Sequence, residues 1–469
     1  MFQDNKRHLP DDNPYASPQA VEQGPRLDEI AALAAASRPR GPSYARWVVL
    51  FFLCTLALVL YVDRVCIGQA EKSMREDLGL TKEHMGWIFN AFMIAYCVLE
   101  VPTGHWGDRF GSRRVITRIV LWWSAFTALT GLAFGFWPLM AIRFLFGAGE
   151  AGAFPNAARV VTRWFPDDER GFARGAITTT SQIGGAIAPP LAAFLIGLVD
   201  WRLTFMSFGA LGLVWAFFFY RWFRDEPGEH PAVSAAELAH IGKPPAHDDE
   251  HPSIPWGQVV LSPNVWLMGA IQTVGATLFY MLFQWYPTYL KEARQLSEQT
   301  SGWFTMIALS GGAVGCLMGG FLSDQIIRRT SERRWTRRAT GCAMLGLAAV
   351  SMWGVRYVEH PLTASVLCAS ALFCLQVSIP TWWTVVAEIS GRHGAAMFGL
   401  MNGMGGLGVM VLNALVGRIV DSRVAAGIPL ADTWRPVFDG VAIALAVGAS
   451  CWLLVDATRP IFRRQEGAA

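Results

Sequence analysis

An arginine and a glutamate, Arg143 and Glu150, lie seven positions apart within an apolar stretch of the sequence at 141–155. On an α-helix this spacing is about two turns, so both side chains would project from one face, about 10.5 Å apart along the axis. A charged residue at the centre of a membrane-spanning helix costs about 2.5–3.5 kcal/mol, so two of them on one face indicate a cavity lined by protein or water. An acid that can carry a proton, next to a permanent cation, is the chemistry that proton-coupled movement of an anion requires.

A second acid and base, Asp63 and Arg64, are adjacent in the first apolar segment. We expect Asp63 to carry a proton; the alternative is a structural ion pair that joins this segment to a neighbour. Arg143 can bind a carboxylate through two parallel hydrogen bonds, or it can neutralise Glu150 or Asp63. Glu150 has no cation three or four residues away on its own helix, which favours a role as the coupling acid. The sequence therefore predicts Asp63 and Glu150 as proton-coupling residues and Arg64 and Arg143 as charge partners of a substrate carboxylate.

The composition is typical of a membrane protein. Of the 469 residues, 53% are hydrophobic and 16% are charged, and the mean hydropathy is +0.32, whereas a soluble protein carries about 25% charged residues. The net charge of +3 is too small to indicate a nucleic-acid partner, and the sequence contains no nucleic-acid-binding motif. The eight cysteines lie in or beside apolar stretches without a Cys-x-x-Cys pair, which favours packing roles over metal binding or disulfides.

Twelve apolar segments approach the length of about 20 residues that a membrane-spanning helix needs. They predict an all-α integral membrane protein with twelve transmembrane helices in a lipid bilayer. The segments run near 47–70, 84–105, 114–134, 137–160, 171–197, 203–223, 264–290, 300–325, 339–357, 362–387, 394–420 and 435–456.

Basic residues concentrate in the loops that follow even-numbered segments, as in the run 328–338 after the eighth. Because cytoplasmic loops carry an excess of Lys and Arg, we expect both termini in the cytoplasm. The longest connection separates six segments from six, which predicts two pseudo-symmetric six-helix halves. The expected units are a disordered cytoplasmic tail at 1–44, a first half at 45–223, a cytoplasmic linker at 224–262, a second half at 263–457 and a cytoplasmic tail at 458–469.

One loop motif recurs in both halves. Gly104-x-x-x-Asp108 closes the second segment, Gly320-x-x-x-Asp324 closes the eighth, and arginines follow both. Gly104 would let helices pack closely, and Asp108 could cap a helix end and pair with an arginine of the other half, which would hold one conformation closed. An ordinary polar loop is the alternative. The expected members of this conformational latch are Gly104, Asp108, Arg109, Arg113 and Asp324.

The motif around Gly104 and Asp108 resembles the loop signature of the major facilitator superfamily. Tyr61-Val-Asp63-Arg64, the Arg143–Glu150 pair and the stretch 154–170 resemble its anion:cation symporter branch. That branch includes bacterial carriers of galactonate, glucarate and hexuronate. The resemblance implies the two-half fold of the superfamily, a rocker-switch mechanism and a place in the cell inner membrane. It also implies symport of protons with a sugar acid, that is, a hexonate, hexuronate or aldarate. We expect a monomer with no cofactor beyond the coupling proton.

The sequence departs from the branch pattern at two positions. An asparagine usually follows two residues after the Asp-Arg pair, and here that position is Cys66. A glutamine commonly precedes the proline-containing end of the second segment, and here it is Glu100. Glu100 adds a third acid, which could be a second proton site or could pair with an arginine near the cytoplasmic end. The identity of the substrate depends on these two changes.

A sugar acid presents one carboxylate and several hydroxyls, so its site should offer a cation together with amides, phenols and aromatic faces. Each candidate has a role in helix packing as its alternative. The candidates are Tyr61, Tyr96, Gln272, Gln284, Trp285, Ser378, Trp382, Trp383 and Asn402.

Three other functions compete with proton symport of a sugar acid. The first is exchange or facilitated movement of another anion, such as a dicarboxylate or a phosphate-like ion. The second is a membrane sensor, but no appended signalling segment is visible in the sequence. The third is a membrane enzyme, but no His/Asp/Ser constellation or metal-ligand cluster converges within the apolar segments, so no catalytic or metal site is predicted.

Overall fold

The computed structural model of the chain describes residues 43–242, 254–329 and 333–462. We call the helices from α1 to α7 the N-terminal half; they are α1 Ala45–Leu78, α2 Lys82–Phe110, α3 Ser112–Thr130, α4 Phe136–Glu150, α5 Ala153–Trp164, α6 Asp167–Leu198 and α7 Trp201–Trp222. A linker with helix α8 (Ala235–Ile241) and the short α9 (Trp256–Leu261) follows. We call the remaining helices the C-terminal half; they are α10 Pro263–Tyr280, α11 Tyr286–Glu292, α12 Glu298–Arg329, α13 Arg333–Gly354, α14 Pro361–Ser390, α15 Gly394–Ala425, α16 Leu430–Thr433 and α17 Arg435–Leu454.

Eight helical stretches within the described residues are long and apolar enough to cross a membrane. They are Ala45–Leu78, Asp167–Leu198, Trp201–Trp222, Pro263–Glu292, Glu298–Gly319, Pro361–Ser390, Ala396–Ala425 and Leu430–Leu454. Helices also occupy the other four predicted segments, as α2, α3, the α4–α5 pair and α13. The chain is therefore a multi-pass membrane protein of the predicted all-α class, while the count of twelve spans stays a prediction.

Local sequence explains where several helices begin and end. Helix α1 stops at Gly79, which adopts φ 64° and donates its backbone N–H to the carbonyl of Arg75; glycine adopts this left-handed geometry without the penalty that a Cβ brings. Helix α7 starts after Asp200, whose carboxylate accepts the N–H of Leu203 at 2.7 Å, as an N-cap does. Short connections of this kind keep consecutive helices antiparallel.

The fourth predicted segment is not one continuous helix. Helix α4 ends at Glu150 and α5 begins at Ala153, because Gly152 adopts φ 86°. A Cβ at Gly152 would lie 2.4 Å from Oγ1 of Thr103 on α2, so both the backbone angle and the close approach require glycine. The break places Glu150 in the last turn of a helix, and the prediction of an unbroken span at 137–160 is wrong.

The seventh predicted segment also contains an irregularity. Between α10 and α11 the residues Met281–Trp285 form a π-helical turn. A π turn inserts one extra residue and therefore redirects the side chains that follow it, which is why such turns occur at functional sites. Gln284 and Trp285, both predicted substrate residues, lie in this turn.

The two halves meet closely at the end of the bundle where α1, α11 and α15 finish and α2 and α12 begin, which we call the distal end. A Cβ on Gly68 of α1 would lie 2.0 Å from the carbonyl oxygen of Phe283, and one on Gly86 of α2 would lie 2.4 Å from that of Asn413. Glycine at these positions lets backbone touch backbone across the two halves.

A network of polar side chains accompanies this close packing at the distal end. Gln69 of α1 donates to Glu298 at 2.6 Å and to Ser301 at 2.8 Å. Lys291 donates to the backbone carbonyl of Gln69 and lies 3.4 Å from Glu298. Further pairs between the halves are Arg75 with Glu292, Lys82 with Glu292, Lys82 with Asp421, and Arg418 with Glu83. The distal end is thus closed by both backbone contact and ion pairs.

At the opposite end, the linker binds the start of α1 through Glu237. Its carboxylate accepts hydrogen bonds from Ser43 Oγ at 2.5 Å, the backbone N–H of Ala45 at 3.1 Å and that of Arg46 at 3.0 Å. Burial by itself raises the pKa of Glu237, but these hydrogen bonds, together with that from the Arg46 side chain, bring the pKa below its usual value. The N-terminus of α1 is therefore capped by a residue almost 200 positions away in the sequence.

Candidate functional site

A buried ion pair between Arg64 on α1 and Glu150 at the end of α4 forms the centre of the site. Nη2 of Arg64 lies 2.9 Å from Oε2 of Glu150, and Nε lies 3.1 Å from the same oxygen. Arg64 is 6% exposed and Glu150 1%, so the pair is withdrawn from solvent. The partner of Glu150 is therefore an arginine of another helix. Glu150 has no cation three or four residues away on its own helix, and tertiary packing supplies Arg64 from α1.

Aromatic rings surround the guanidinium of Arg64. Its Cζ lies 5.4 Å from the ring centre of Tyr61, 5.3 Å from that of Phe92 and 4.8 Å from that of Tyr96. Such contacts attract a cation to the ring faces. Tyr61 and Tyr96 were predicted as substrate residues. Phe92 was missed, although its position four residues before Tyr96 puts the two rings on one face of α2.

Asp63 and Arg143 are buried without complete hydrogen bonding. Both carboxylate oxygens of Asp63 and Nη1 of Arg143 lack a hydrogen-bond partner within the described part of the chain. Asp63 does not bind its neighbour Arg64, because adjacent residues on a helix do not face each other. The guanidinium of Arg143 lies 4.0 Å above the ring centre of Phe146. The structure thus leaves one acid and one base near Arg64 and Glu150 available for another group.

The side chains that face Asp63 come from α3. Trp123 and Thr127 lie beside its carboxyl group, and their Nε1 and Oγ1 atoms likewise lack a hydrogen-bond partner among the described residues. Sequence reasoning missed both, and their spacing of four residues on one helix face was the only signal. Cys66 donates its thiol to the backbone carbonyl of Asp63 at 3.2 Å, so it gives the cavity no amide group.

Glu100 connects the two halves. Its Oε2 accepts a hydrogen bond from Nδ2 of Asn402 on α15 at 3.1 Å, and its Oε1 lies 3.5 Å from the hydroxyl of Tyr96. Nε2 of Gln272 in turn approaches Oδ1 of Asn402 at 3.4 Å. Among the described residues, the hydrogen-bond partners of Glu100 are this amide and this phenol, and the arginine partner that was one of its two alternatives is not found there.

The other predicted substrate residues lie apart from this group or already have partners. Trp285 donates to Asn413 at 2.9 Å, Trp382 to the carbonyl of Met268 at 3.0 Å, and Ser378 to the carbonyl of Leu375 at 2.7 Å. Trp383 is 54% exposed and packs on Phe398 with ring centres 4.6 Å apart. Gln284 is buried, and its Oε1 lacks a hydrogen-bond partner. Of these five, Gln284 is the buried residue that retains a polar atom without a hydrogen-bond partner among the described residues.

The predicted latch is visible only in part. Gly104 and the side chains of Asp108 and Asp324 lie outside the part of the chain whose contacts the structure describes. Arg109 is exposed. Arg113 donates from its side chain to the carbonyl of Tyr220 at 3.0 Å, and its backbone N–H donates to Asp225 at 2.8 Å. Arg113 therefore contacts the end of α7 and the linker, both of which lie outside the C-terminal half.

Chemically, the site combines two arginines, three acids and several phenol and amide groups at the boundary between the halves. One arginine is neutralised by a carboxylate, and the other has an unused N–H group. An incoming organic anion could bind either arginine, and a proton could neutralise the acid that it displaces. No part of this arrangement provides an activated nucleophile.

Comparisons with known proteins show the family to which the chain belongs. The family pattern of the Major Facilitator Superfamily matches residues 53–413. The chain is 32% identical over 390 residues to a protein of Cupriavidus necator described as a probable sulfoacetate transporter, with 82% of this chain and 89% of the relative covered. It is 30% identical over 441 residues to a probable galactarate/D-glucarate transporter of Bacillus subtilis, with 90% and 94% covered.

Among solved structures, the chain is similar to the crystal structure of a bacterial homologue of the human lysosomal transporter Spinster. The TM-score is 0.72 at 19% sequence identity, and the match covers 88% of this chain and 97% of that chain. At this identity the likeness concerns the fold alone.

Proposed function

Because this chain belongs to the Major Facilitator Superfamily and is a membrane transporter, not an enzyme, we propose that it carries a sugar acid together with protons. The observation that carries the proposal is the buried Arg64–Glu150 pair, placed beside an Asp63 with no hydrogen-bond partner in the described structure. The relative from Bacillus subtilis, described as a probable galactarate/D-glucarate transporter, supports sugar acids in general as the substrate class, without deciding between one and two carboxylates.

The proposed cycle begins with exchange of partners at Arg64. While Glu150 is ionised, it occupies the guanidinium at 2.9 Å. A proton on Glu150 would weaken that bond and free Arg64 for the substrate carboxylate, which makes the same paired hydrogen bonds. The phenol rings of Tyr61 and Tyr96, already in contact with Arg64, would then border the sugar chain.

Asp63 is the second proposed proton site. An ionised carboxylate with no hydrogen-bond partner is costly to bury, and Asp63 is 1% exposed. Arg143, which has an unused Nη1, is a cation that acts on Asp63. Proton binding at Asp63 would leave Arg143 free as a second cation for the anion. Coupling then follows, because the two acids and the substrate carboxylate compete for the same arginines, and a proton on an acid releases its arginine to the substrate.

We place this cycle in an alternating-access mechanism in the cell inner membrane, with both termini in the cytoplasm and the protein acting as a monomer. In that orientation the distal end faces outward. Its backbone contacts at Gly68 and Gly86 and its ion pairs would then close the site from the outside. Opening them exposes Arg64 to external substrate, and closing them returns the site to the cytoplasmic side.

Uptake into proteoliposomes with an imposed pH gradient, acid outside, tests the proposal. Wild-type protein should concentrate labelled galactonate only while the gradient lasts. Glu150→Gln removes the titrating acid but keeps its size, so it should bind substrate and lose gradient-driven accumulation. A Glu150→Gln protein whose uptake remains concentrative and fully proton-dependent would contradict the assignment. Glu76→Gln, at a side chain that is 60% exposed, is the matched control.

A second candidate substrate is a short dianion. The unused N–H of Arg143 near Arg64 would let two arginines bind two anionic groups of one small molecule, and the Cupriavidus necator relative is described as a sulfoacetate transporter. Comparing the melting temperature with sulfoacetate and with galactonate separates the two, since a ligand that binds only the folded state raises it. Counterflow that persists in Glu150→Gln without a gradient would indicate exchange in place of symport.

A further inference from the structure

Glu100 is an acid at the boundary of the halves, apart from the proposed proton sites. It is half-buried, and its carboxylate accepts a hydrogen bond from Asn402 of the C-terminal half at 3.1 Å. No arginine or lysine hydrogen-bonds it within the described residues. Its hydrogen-bond partners are therefore an amide and a phenol, and the cation Arg64 acts on it only at longer range.

Tyr96 contacts both this acid and Arg64. The face of its ring lies 4.8 Å from the guanidinium carbon of Arg64, while its hydroxyl lies 3.5 Å from Oε1 of Glu100. A cation and an anion thus lie at the two ends of one tyrosine side chain. A linear molecule that extends along this ring with its carboxylate on Arg64 would present its other end to Glu100 and Asn402.

We propose that Glu100 selects the substrate by charge, admitting monoanionic sugar acids with a terminal hydroxyl and disfavouring dianionic ones. This inference rests on the proposed function. A carboxylate accepts hydrogen bonds from hydroxyl groups and cannot donate when ionised, so a terminal alcohol is a suitable partner. A second carboxylate at the same place would lie against a like charge in a site of low dielectric, which costs affinity. Asn402 and Gln272 provide further amide contacts for the hydroxyls.

Galactonate and galactarate test this selection directly, because they share one carbon chain and differ only in a terminal CH₂OH or carboxylate. Purified protein in detergent at pH 7.5 is titrated with each, and dissociation constants are taken from the ligand-dependent melting temperature. Wild-type protein should bind galactonate at least about tenfold more tightly than galactarate. Since tenfold corresponds to about 1.4 kcal/mol, the difference is well within reach of the assay.

Glu100→Gln removes the charge and keeps an oxygen that can accept from Asn402. In this variant the two dissociation constants should come within about threefold of each other, chiefly through tighter galactarate binding. Glu76→Gln removes the same charge at an exposed position and should keep the wild-type preference. Glu100→Ala provides the same comparison if the glutamine variant does not fold.

The inference is overturned if wild-type protein binds the two ligands equally, or if the preference survives removal of the Glu100 charge. Failure of the proposed function has a different signature. In that case neither sugar acid raises the melting temperature of any variant, and the selection inferred for Glu100 is withdrawn with it.

Discussion

Replacing Gly68 by alanine should open the distal end of the transporter. A Cβ at this position of α1 would lie 2.0 Å from the backbone carbonyl oxygen of Phe283, where contacts under 3.0 Å are essentially never seen. The obstacle is backbone at the π-helical turn, so it cannot rotate away as a side chain can. Helix α1 and this turn must separate by about 1 Å, and overpacking of this kind costs about 1–3 kcal/mol.

That cost falls only on the conformation in which the two halves touch. A penalty of about 1–3 kcal/mol on one of two states shifts their ratio by about 5–150-fold. Ser301, which is 0% exposed and hydrogen-bonded to Gln69 across the halves, reports the opening. In a background with the eight native cysteines replaced, Ser301→Cys should react with a bulky maleimide faster by a similar factor when Gly68→Ala is present.

Gly346→Ala is the matched control, because a Cβ there meets nothing within 4 Å. It carries the same gain in helix propensity, up to about 1 kcal/mol, and should leave the labelling rate unchanged. Uptake by Gly68→Ala should slow, since each cycle must close the distal end. If Gly68→Ala labels at the control rate and transports normally, the close contact does not limit the conformational equilibrium and the reasoning fails.

Three further outcomes can be measured by thermal melting in detergent. Arg64→Met leaves Glu150 buried without its partner, and should destabilise the protein by about 3–5 kcal/mol, with loss of galactonate binding; a melting temperature equal to that of wild type would contradict the buried pair. Gly152→Ala should cost at least about 1–3 kcal/mol, because its φ of 86° strains any other residue, whereas Gly346→Ala should not. Glu237→Gln should lower the melting temperature at neutral pH but not in acid: the pKa of Glu237 lies below its ordinary value, so its stabilisation is complete above about pH 4.5 and disappears as the pH falls through the lowered pKa. A difference that is independent of pH would exclude a charged Glu237 as the cause.

Much of the site could be named from local sequence because charge is rare in apolar segments. Four charged residues stood out because lipid-exposed helices exclude charge; they are Asp63, Arg64, Arg143 and Glu150. All four are buried in the structure. The same reasoning fails for aromatic and amide residues, since tryptophan and glutamine serve packing as readily as binding. Trp285 and Trp382 illustrate this, with their indole N–H groups already bonded.

The breaks in the fourth and seventh segments needed tertiary information. Gly152 is one of 46 glycines, and Pro155 three residues later indicates an interruption of the helix near it, but not the backbone angle that Gly152 adopts. Its left-handed backbone becomes evident only with Thr103 of α2 packed against it. The π-helical turn at Met281–Trp285 lies where α1 approaches at Gly68, a contact that local sequence does not show.

The sequence by itself determined the class of protein, its family resemblance and which acids and bases are candidates for function. Burying a charge in an apolar segment is costly, so a charge found there indicates a functional role. Only the tertiary structure decided their partners. Glu150 bonds Arg64 and not the arginine of its own helix, and Glu100 bonds an amide of the other half. Asp63 has no hydrogen-bond partner among the residues that the structure describes. Pairing depends on which helix faces meet, and helical periodicity gives the faces but not their neighbours.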